Sequence, residues 1–161
     1  YQLKGKTKPF SVLISGSGKE WSNLERQIDR KGLKGIVKLI GFQNNLSQII
    51  NAADFVLMPS RHEGMPNVAM ESMALGKPVF ASNVNGIPEL IKHRDSGYII
   101  DSLSVNKICD AIQFAINHHG SEEINRWGIT AKNKIATHFT ITEMLDQLES
   151  YFYSHINYLH R

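Results

Sequence analysis

The sequence of 161 residues has a single cysteine, only 5 prolines and no long run of apolar residues. One cysteine cannot form an internal disulfide, and Cys109 falls in an apolar helical pattern typical of a buried thiol, so a reducing cytoplasm is the expected location. Without about 18 to 20 consecutive apolar residues, no membrane-spanning helix is predicted. Runs of like charge are also missing at a net charge of +3, which argues against a nucleic-acid partner.

The overall composition is typical of a globular protein, with 42% hydrophobic and 20% charged residues. A chain of this length fits one compact domain with a sizeable core. We therefore treat residues 1–161 as a single domain.

Short segments rich in valine and isoleucine alternate with helical patterns. The predicted strands cover residues 10–15, 36–40, 54–58, 78–81 and 98–101. The predicted helices cover residues 20–31, 46–52, 66–74, 88–91, 104–117, 121–137 and 140–158, with N-caps at Ser104 and Thr140. Apolar strands separated by helices predict an α/β fold, a doubly wound, Rossmann-like parallel sheet with helices on both faces.

Ligands of such sheets bind beyond the carboxyl ends of the strands, and the most informative segment, 59–79, follows a strand and opens a helix. Pro66 suits the first helical turn because it has no N–H group to leave unpaired. The backbone amides of Asn67 and Val68 then lack acceptors within the helix. Since a helix N-terminus carries about half a positive charge, a phosphate or diphosphate is the expected ligand.

Two glutamates flank this helix start. Glu63 lies in the preceding loop, and Glu71 lies far enough into the helix for its side chain to lean back toward the N-terminus. Two carboxylates would repel a diphosphate unless they accept hydrogen bonds from hydroxyl groups of the same ligand. A nucleotide-sugar would supply such groups, with its ribose at Glu71 and its hexose at Glu63. The alternative is a pair of solvated acids, the more common situation for two arbitrary glutamates.

Residues Glu63 to Val79 resemble the Glu-Gly-x-x-x-x-x-x-Glu-x-Met-Ala-x-Gly-x-Pro-Val signature of the retaining glycosyltransferases of family 4, which have the GT-B fold. The resemblance covers about the first 115 residues. Its other matching positions are Gly16-Ser17-Gly18, Gly41-Phe42, Asp54, Pro59-Ser60, residues 85–89 and Gly97. Within the family, the sequence of residues 63–68 is most similar to that of bacterial enzymes of O-antigen, capsule or lipopolysaccharide biosynthesis.

The resemblance implies a role for each matching residue. Glu71 is expected to bind the ribose and Glu63, the catalytic candidate, to position the donor hexose, while the segment from Gly41 to Leu46 flanks the base. The implied donor-binding residues are Gly16, Gly18, Gly41, Phe42, Leu46, Glu63, Gly64, Met65, Pro66, Asn67, Val68 and Glu71. No metal and no cofactor is implied, since the leaving diphosphate is thought to assist front-face attack.

The activity implied is transfer of a hexose or N-acetylhexosamine, with retention, from a nucleoside diphosphate sugar to a lipid-linked glycan. A uridine diphosphate donor is expected, and the cytoplasmic face of the bacterial inner membrane is the expected site of action. Two alternatives remain open. One is a non-hydrolysing sugar-nucleotide epimerase of the same architecture, and the other is a non-catalytic nucleotide-binding module.

The sequence also departs from the family pattern. Family members begin this domain with a strand and helix carrying an Arg and a Lys that face the diphosphate, preceded by an acceptor-binding domain. We therefore expect the chain to be the C-terminal, donor-binding half of a longer enzyme and inactive alone. The sheet would lack its central first strand, and its unpaired edges would invite self-association. The helix within residues 140–161 is expected to pack toward the N-terminal domain or on its own core, with contact to a membrane surface as the alternative.

Two other motifs carry less weight. Gly16-Ser17-Gly18 suggests a dinucleotide fingerprint, but Trp21 occupies the third glycine position and the next strand ends without an acid, so no nicotinamide cofactor is expected. The 7 histidines, including His118 and His119, have no metal-ligand spacing, so no metal site is predicted.

Overall fold

The structure is a computed structural model and describes residues 1–5 and 7–159. Its strands are β1 (Val12–Ser15), β2 (Val37–Gly41), β3 (Val56–Met58), β4 (Val79–Ser82) and β5 (Tyr98–Ile100). Its helices are α1 (Trp21–Arg30), α2 (Leu46–Ala52), α3 (Asn67–Ala74), α4 (Ile87–Leu90), α5 (Val105–His118), α6 (Glu122–His138) and α7 (Ile141–Leu159). Every predicted strand and helix is confirmed, with ends that differ by at most two residues.

The strands pair only in parallel, as predicted, but they form two hydrogen-bonded sheets rather than one. The first contains β1 and β2, and the second has the order β3-β4-β5. In the described part of the chain, β4 has a strand neighbour on both sides, and the other four strands each have one on one side only.

Strand β4 is buried along its whole length and separates two apolar clusters. Because successive side chains of a strand point to opposite faces, Val79 and Ala81 join one cluster and Phe80 joins the other. The first cluster contains residues of α3, α4 and α6, and the second contains residues of α5 and α6. Helices therefore cover both faces of this sheet, which confirms the doubly wound arrangement.

Hydroxyl groups cap the long helices near the end of the chain. The Ser104 hydroxyl accepts from the amide of Lys107 at 3.3 Å, and the Thr140 hydroxyl accepts from the amide of Glu143 at 3.1 Å. Both predicted N-caps are confirmed. Such caps satisfy amides that the first helical turn would otherwise leave unpaired.

Helix α7 lies apart from the two clusters. Its apolar side chains are largely exposed between residues 141 and 155, from 46% for Leu148 to 75% for Ile141. The structure does not place this part of the helix on the chain's own core, which was one of its two expected positions. The basic end, His160 and Arg161, lies outside the described residues, and none of the described helices is both long and apolar enough to span a bilayer.

Candidate functional site

The predicted site residues lie in loops that leave the carboxyl ends of the strands. Residues 16–20 follow β1, residues 42–45 follow β2, residues 59–66 follow β3 and residues 83–86 follow β4. Within each parallel sheet these ends lie along one edge. The edge is therefore lined by loops and helix starts, the backbone positions best suited to ligand contact.

The N-terminus of α3 is the centre of the candidate site. Pro66 was predicted to be the first helical residue, but it is the N-cap, and the helix begins at Asn67. The Pro66 carbonyl accepts from the amides of Ala69 at 3.0 Å and Met70 at 3.2 Å. No side chain caps this helix. The amides of Asn67 and Val68 thus have no acceptor in the helix, and they remain available to an anion.

The packing of α3 decides which way its side chains face. Ala69, Ser72 and Met73 are buried, and the Ser72 hydroxyl donates to the Val68 carbonyl at 2.6 Å. This places Glu71 on the exposed side of the helix, and helical side chains generally lean toward the helix N-terminus. Burying one face of the helix therefore presents the other to solvent at the strand ends.

Glu63 is half-buried in the loop that precedes α3. Within the described residues, neither the Glu63 nor the Glu71 carboxylate has a hydrogen-bond or ion-pair partner. Carboxylates without internal partners are available as acceptors for the hydroxyl groups of a ligand.

The loop that carries Glu63, which we call the 61–65 loop, is tied to the turn after β4. The amide of Gly86 donates to the carbonyl of Gly64 at 3.1 Å. Asn85, just before it, has a positive φ of 41°. Sequence reasoning assigned Gly86 no role, although an Asn-Gly pair is a recognisable turn signal.

Gly16, predicted to bind the donor, and Gly41, predicted to flank the base, lie together at the ends of β1 and β2. The amide of Gly16 donates to the carbonyl of Gly41 at 2.8 Å, and the Ser15 hydroxyl donates to the same carbonyl at 3.2 Å. Gly16 and Gly41 have φ values of 128° and 69°, a region that favours glycine. Phe42 follows directly and is 74% exposed. A ligand at this edge would therefore meet both backbone and an aromatic ring.

The other predicted residues connect this edge with α3. The Gly18 carbonyl accepts from the amide of Trp21 at 3.1 Å, which starts α1. Leu46 is half-buried at the start of α2, and α2 contacts α3. The predicted residues thus form two groups, one around Gly16 and Gly41 and the other between Glu63 and Glu71.

The described residues also form two clefts away from these groups. One, of about 680 Å³, lies along α1 and β2. The other, of about 450 Å³, adjoins α6 and residues 75–78, at the amino end of β4. Neither includes Glu63 or Glu71. The position of the candidate site therefore rests on the strand ends and the helix N-terminus and not on either of these clefts.

Histidines and acids are dispersed over the described surface. In residues 1–5 and 7–159, no group of three or more His, Cys, Asp and Glu side chains is arranged to hold a metal ion. His119 pairs with Asp54 at 3.0 Å on the surface, and neither residue belongs to the predicted donor-binding set.

The chain is similar in sequence to curated glycosyltransferases. The chain is 31% identical over 161 residues to the amylovoran biosynthesis glycosyltransferase AmsK of Erwinia amylovora, covering 91% of this chain and 39% of that protein. It is 28% identical over 154 residues to the UDP-Gal:alpha-D-GlcNAc-diphosphoundecaprenol alpha-1,3-galactosyltransferase of Escherichia coli, covering 94% and 39%. The chain thus spans about two fifths of the length of these curated relatives.

The fold is shared with solved glycosyltransferase structures. The crystal structure of Anabaena HepE in complex with UDP superposes with a TM-score of 0.83 at 24% identity, covering 95% of this chain and 43% of HepE. This likeness shows the fold, a GT-B C-terminal half. The family description "Glycosyl transferases group 1" matches residues 1–134, which include every predicted site residue. The chain therefore belongs to the group 1 glycosyl transferases.

Proposed function

We propose that the chain is the donor-binding half of a retaining glycosyltransferase. In this proposal the full-length protein transfers a hexose or N-acetylhexosamine from a UDP-sugar to a lipid-linked glycan during bacterial surface-polysaccharide or lipopolysaccharide synthesis. Membership of the group 1 glycosyl transferases supports it, as do relatives whose names specify such pathways.

The observation that carries the proposal is the start of α3. Two amides without helical acceptors, Asn67 and Val68, lie between the carboxylates of Glu63 and Glu71 along the chain. A diphosphate on these amides meets the positive end of the helix. The carboxylates then accept hydrogen bonds from sugar hydroxyls on either side, Glu71 from the ribose and Glu63 from the donor hexose. This arrangement keeps both negative charges off the phosphates.

The base belongs at the other group of residues. Phe42 offers an exposed ring beside the backbone of Gly41, and stacking on an aromatic ring suits a flat nucleobase. UDP is proposed as the nucleotide because the galactosyltransferase relative is named for a UDP donor and HepE was solved with UDP.

The reaction proposed is a substitution at the anomeric carbon with retention. The bond from that carbon to the diphosphate oxygen breaks, and a bond to an acceptor hydroxyl oxygen forms on the same face. The acceptor proton moves to the leaving diphosphate. Glu63 holds the hexose in place and the α3 amides stabilise the charge that develops on the diphosphate, so the chain's own groups supply positioning and electrostatic stabilisation.

The rest of the full-length protein is proposed to supply the groups that this chain lacks for the transfer reaction. Because the chain spans about two fifths of its relatives, we assign acceptor binding and the cationic partners of the diphosphate to the remainder of the full-length protein. The exposed apolar residues of α7 are proposed to pack there. A lipid-linked acceptor would locate the reaction at the cytoplasmic face of the inner membrane.

The direct test is Glu71→Ala in the full-length protein. Loss of hydrogen bonds to a charged group costs about 1.5 to 3 kcal/mol, so UDP affinity measured by calorimetry should fall by roughly 10- to 150-fold. Glu122→Ala is the matched control, because Glu122 is another exposed helical glutamate and lies at the start of α6. Equal UDP affinity of the Glu71 variant and the wild type would remove Glu71 from the site.

A second experiment separates the activities. The full-length protein is incubated with UDP-glucose, UDP-galactose and UDP-N-acetylglucosamine, with and without a polyprenyl-diphosphate glycan acceptor, and products are followed by NMR. Sugar transfer with retained anomeric configuration supports the proposal. Epimerised UDP-sugar without acceptor would favour an epimerase, and UDP-sugar binding without any turnover would favour a non-catalytic module.

A further inference from the structure

We infer that Gly86 is a positioning residue for the 61–65 loop and so sets the place of Glu63 against the donor sugar. The inference rests on the proposed function and concerns how the same site is held in shape. Its basis is a backbone contact, in which the Gly86 amide donates to the Gly64 carbonyl at 3.1 Å.

A glycine is required at position 86 by space and not by backbone conformation. Gly86 has φ −72° and ψ −6°, which any residue adopts. A Cβ atom at this position, however, would overlap the carbonyl oxygen of Gly64 and lie 3.2 Å from its carbonyl carbon. It would also lie 3.6 Å from the Cα of Met65. The two backbones approach so closely only because Gly86 has no side chain.

The Gly86 side of this contact is the fixed one. Ile87 and Leu90, which follow in α4, are 1% and 0% exposed within the first core cluster. The Lys134 ammonium on α6 donates to the carbonyl of Glu89. Burial lowers the pKa of Lys134 below its ordinary value, and the nearby charge of Asp95 acts in the opposite direction. A side chain at position 86 would therefore displace the 61–65 loop rather than α4.

Helix α3 has anchors that do not involve Gly86. Ala69 and Met73 are completely buried in the core, and the Ser72 hydroxyl holds the Val68 carbonyl. The α3 amides and Glu71 should thus keep their places when the 61–65 loop moves. The expected consequence is selective, because contacts to the donor sugar weaken while contacts to the nucleotide remain.

The other end of α3 supplies a matched control. Gly128, inside α6, approaches Gly76 just after α3, and a Cβ on Gly128 would overlap the carbonyl oxygen of Gly76 and lie 3.2 Å from its carbonyl carbon. The steric conflict is the same as at Gly86. Gly128→Ala therefore disturbs the fold to a similar extent while leaving the 61–65 loop untouched.

The experiment compares Gly86→Ala and Gly128→Ala with the wild type in the full-length protein. Calorimetry gives the Kd of UDP, and UDP release without acceptor gives kcat and KM for whichever of UDP-glucose, UDP-galactose and UDP-N-acetylglucosamine the wild type hydrolyses fastest. Gly86→Ala is expected to lower kcat/KM at least tenfold with the Kd of UDP changed less than threefold. Gly128→Ala is expected to change both less than threefold, although its Tm falls.

Other outcomes contradict the inference. Unchanged kcat/KM in Gly86→Ala overturns it, and so does an equal loss of UDP affinity and UDP-sugar turnover in both variants. If the wild type binds no UDP, both the proposed function and the inference are wrong. If the wild type binds UDP and Gly86→Ala has unchanged kcat/KM, only the inference is wrong.

A measurement on the wild type covers the case in which Gly86→Ala does not fold. Hydrogen exchange of the Gly86 amide reports the bond to Gly64 directly. A UDP-sugar that contacts and orders the 61–65 loop should make the Gly86 amide exchange at least threefold more slowly than it does in the UDP complex. Equal exchange rates in the two complexes would contradict the inference.

Discussion

The two sheets of the domain differ sharply in how much of their surface is buried. Strand β4 is buried at every position, and both core clusters lie around it. Strand β1 alternates between half-buried and exposed residues, and α1, which follows it, has no buried residue. Leu33 and Ile50 are the buried apolar residues described before residue 56. The first sheet therefore contributes much less apolar burial to stability.

This difference matters because the candidate site spans both sheets. The residues proposed to bind diphosphate and sugars stand on the well-packed β3-β4-β5 sheet, whereas Gly16, Gly41 and Phe42 stand on the thinly packed β1-β2 sheet. Rigid packing favours a preorganised anion site. The region proposed to bind the base is expected to open locally at a lower free energy, since it has few buried contacts.

The largest expected effect is on stability. Met73→Ala removes a completely buried side chain under α3 and should lower the free energy of unfolding by about 2 to 5 kcal/mol. Leu13→Ala, on β1 with 49% of the side chain exposed, should cost less than about 1 kcal/mol. Urea unfolding of both variants gives the comparison, and equal losses would show that the sheets contribute alike.

The next effect concerns the base. Phe42→Ala should weaken UDP binding by about 5- to 150-fold, because stacking of a base on an aromatic ring is worth about 1 to 3 kcal/mol. Ile129→Ala on α6 is the control, since Ile129 is also a large apolar residue that is exposed, at 63%, and it has no proposed role. The UDP affinity of both variants is measured by calorimetry. Wild-type affinity of the Phe42 variant would contradict the placement of the base at the β1-β2 edge.

Native-state hydrogen exchange should separate the two sheets by a smaller margin. Amides of Leu39 and Ile14 are expected to exchange at least tenfold faster than those of Phe80 and Ala81, once corrected for intrinsic rates. A tenfold ratio corresponds to about 1.4 kcal/mol of opening free energy. Similar protection throughout would indicate that both sheets open as one unit.

The smallest expected effect comes from removing α7. Truncation after Thr140 should change the free energy of unfolding of the chain by no more than about 0.5 kcal/mol, since the described side chains of this helix are outside both clusters. Thermal and urea unfolding of the truncated chain test this. A larger loss would mean that α7 packs on the chain's own core after all.

Much of the fold could be predicted because its signals are local. Alternation of apolar segments with helical patterns located every strand and helix, and hydroxyl residues before apolar periodicity located the caps at Ser104 and Thr140. The cap at Pro66 was misplaced by one residue, because proline suits either position at a helix start. The division into two sheets is not visible in this local pattern, because strand pairing joins segments distant along the chain.

The sequence by itself determined the order of strands and helices, the family, and the pair Glu63 and Glu71 around a helix start, since each depends on residue types at fixed spacing. Only the tertiary structure decided that α7 stands apart from the core and that Gly86 meets Gly64. These two glycines are 22 positions apart, and their approach is set by how α4 and the β4 sheet pack. A pattern along the chain reports local preference, whereas close backbone contacts depend on the packing of distant segments.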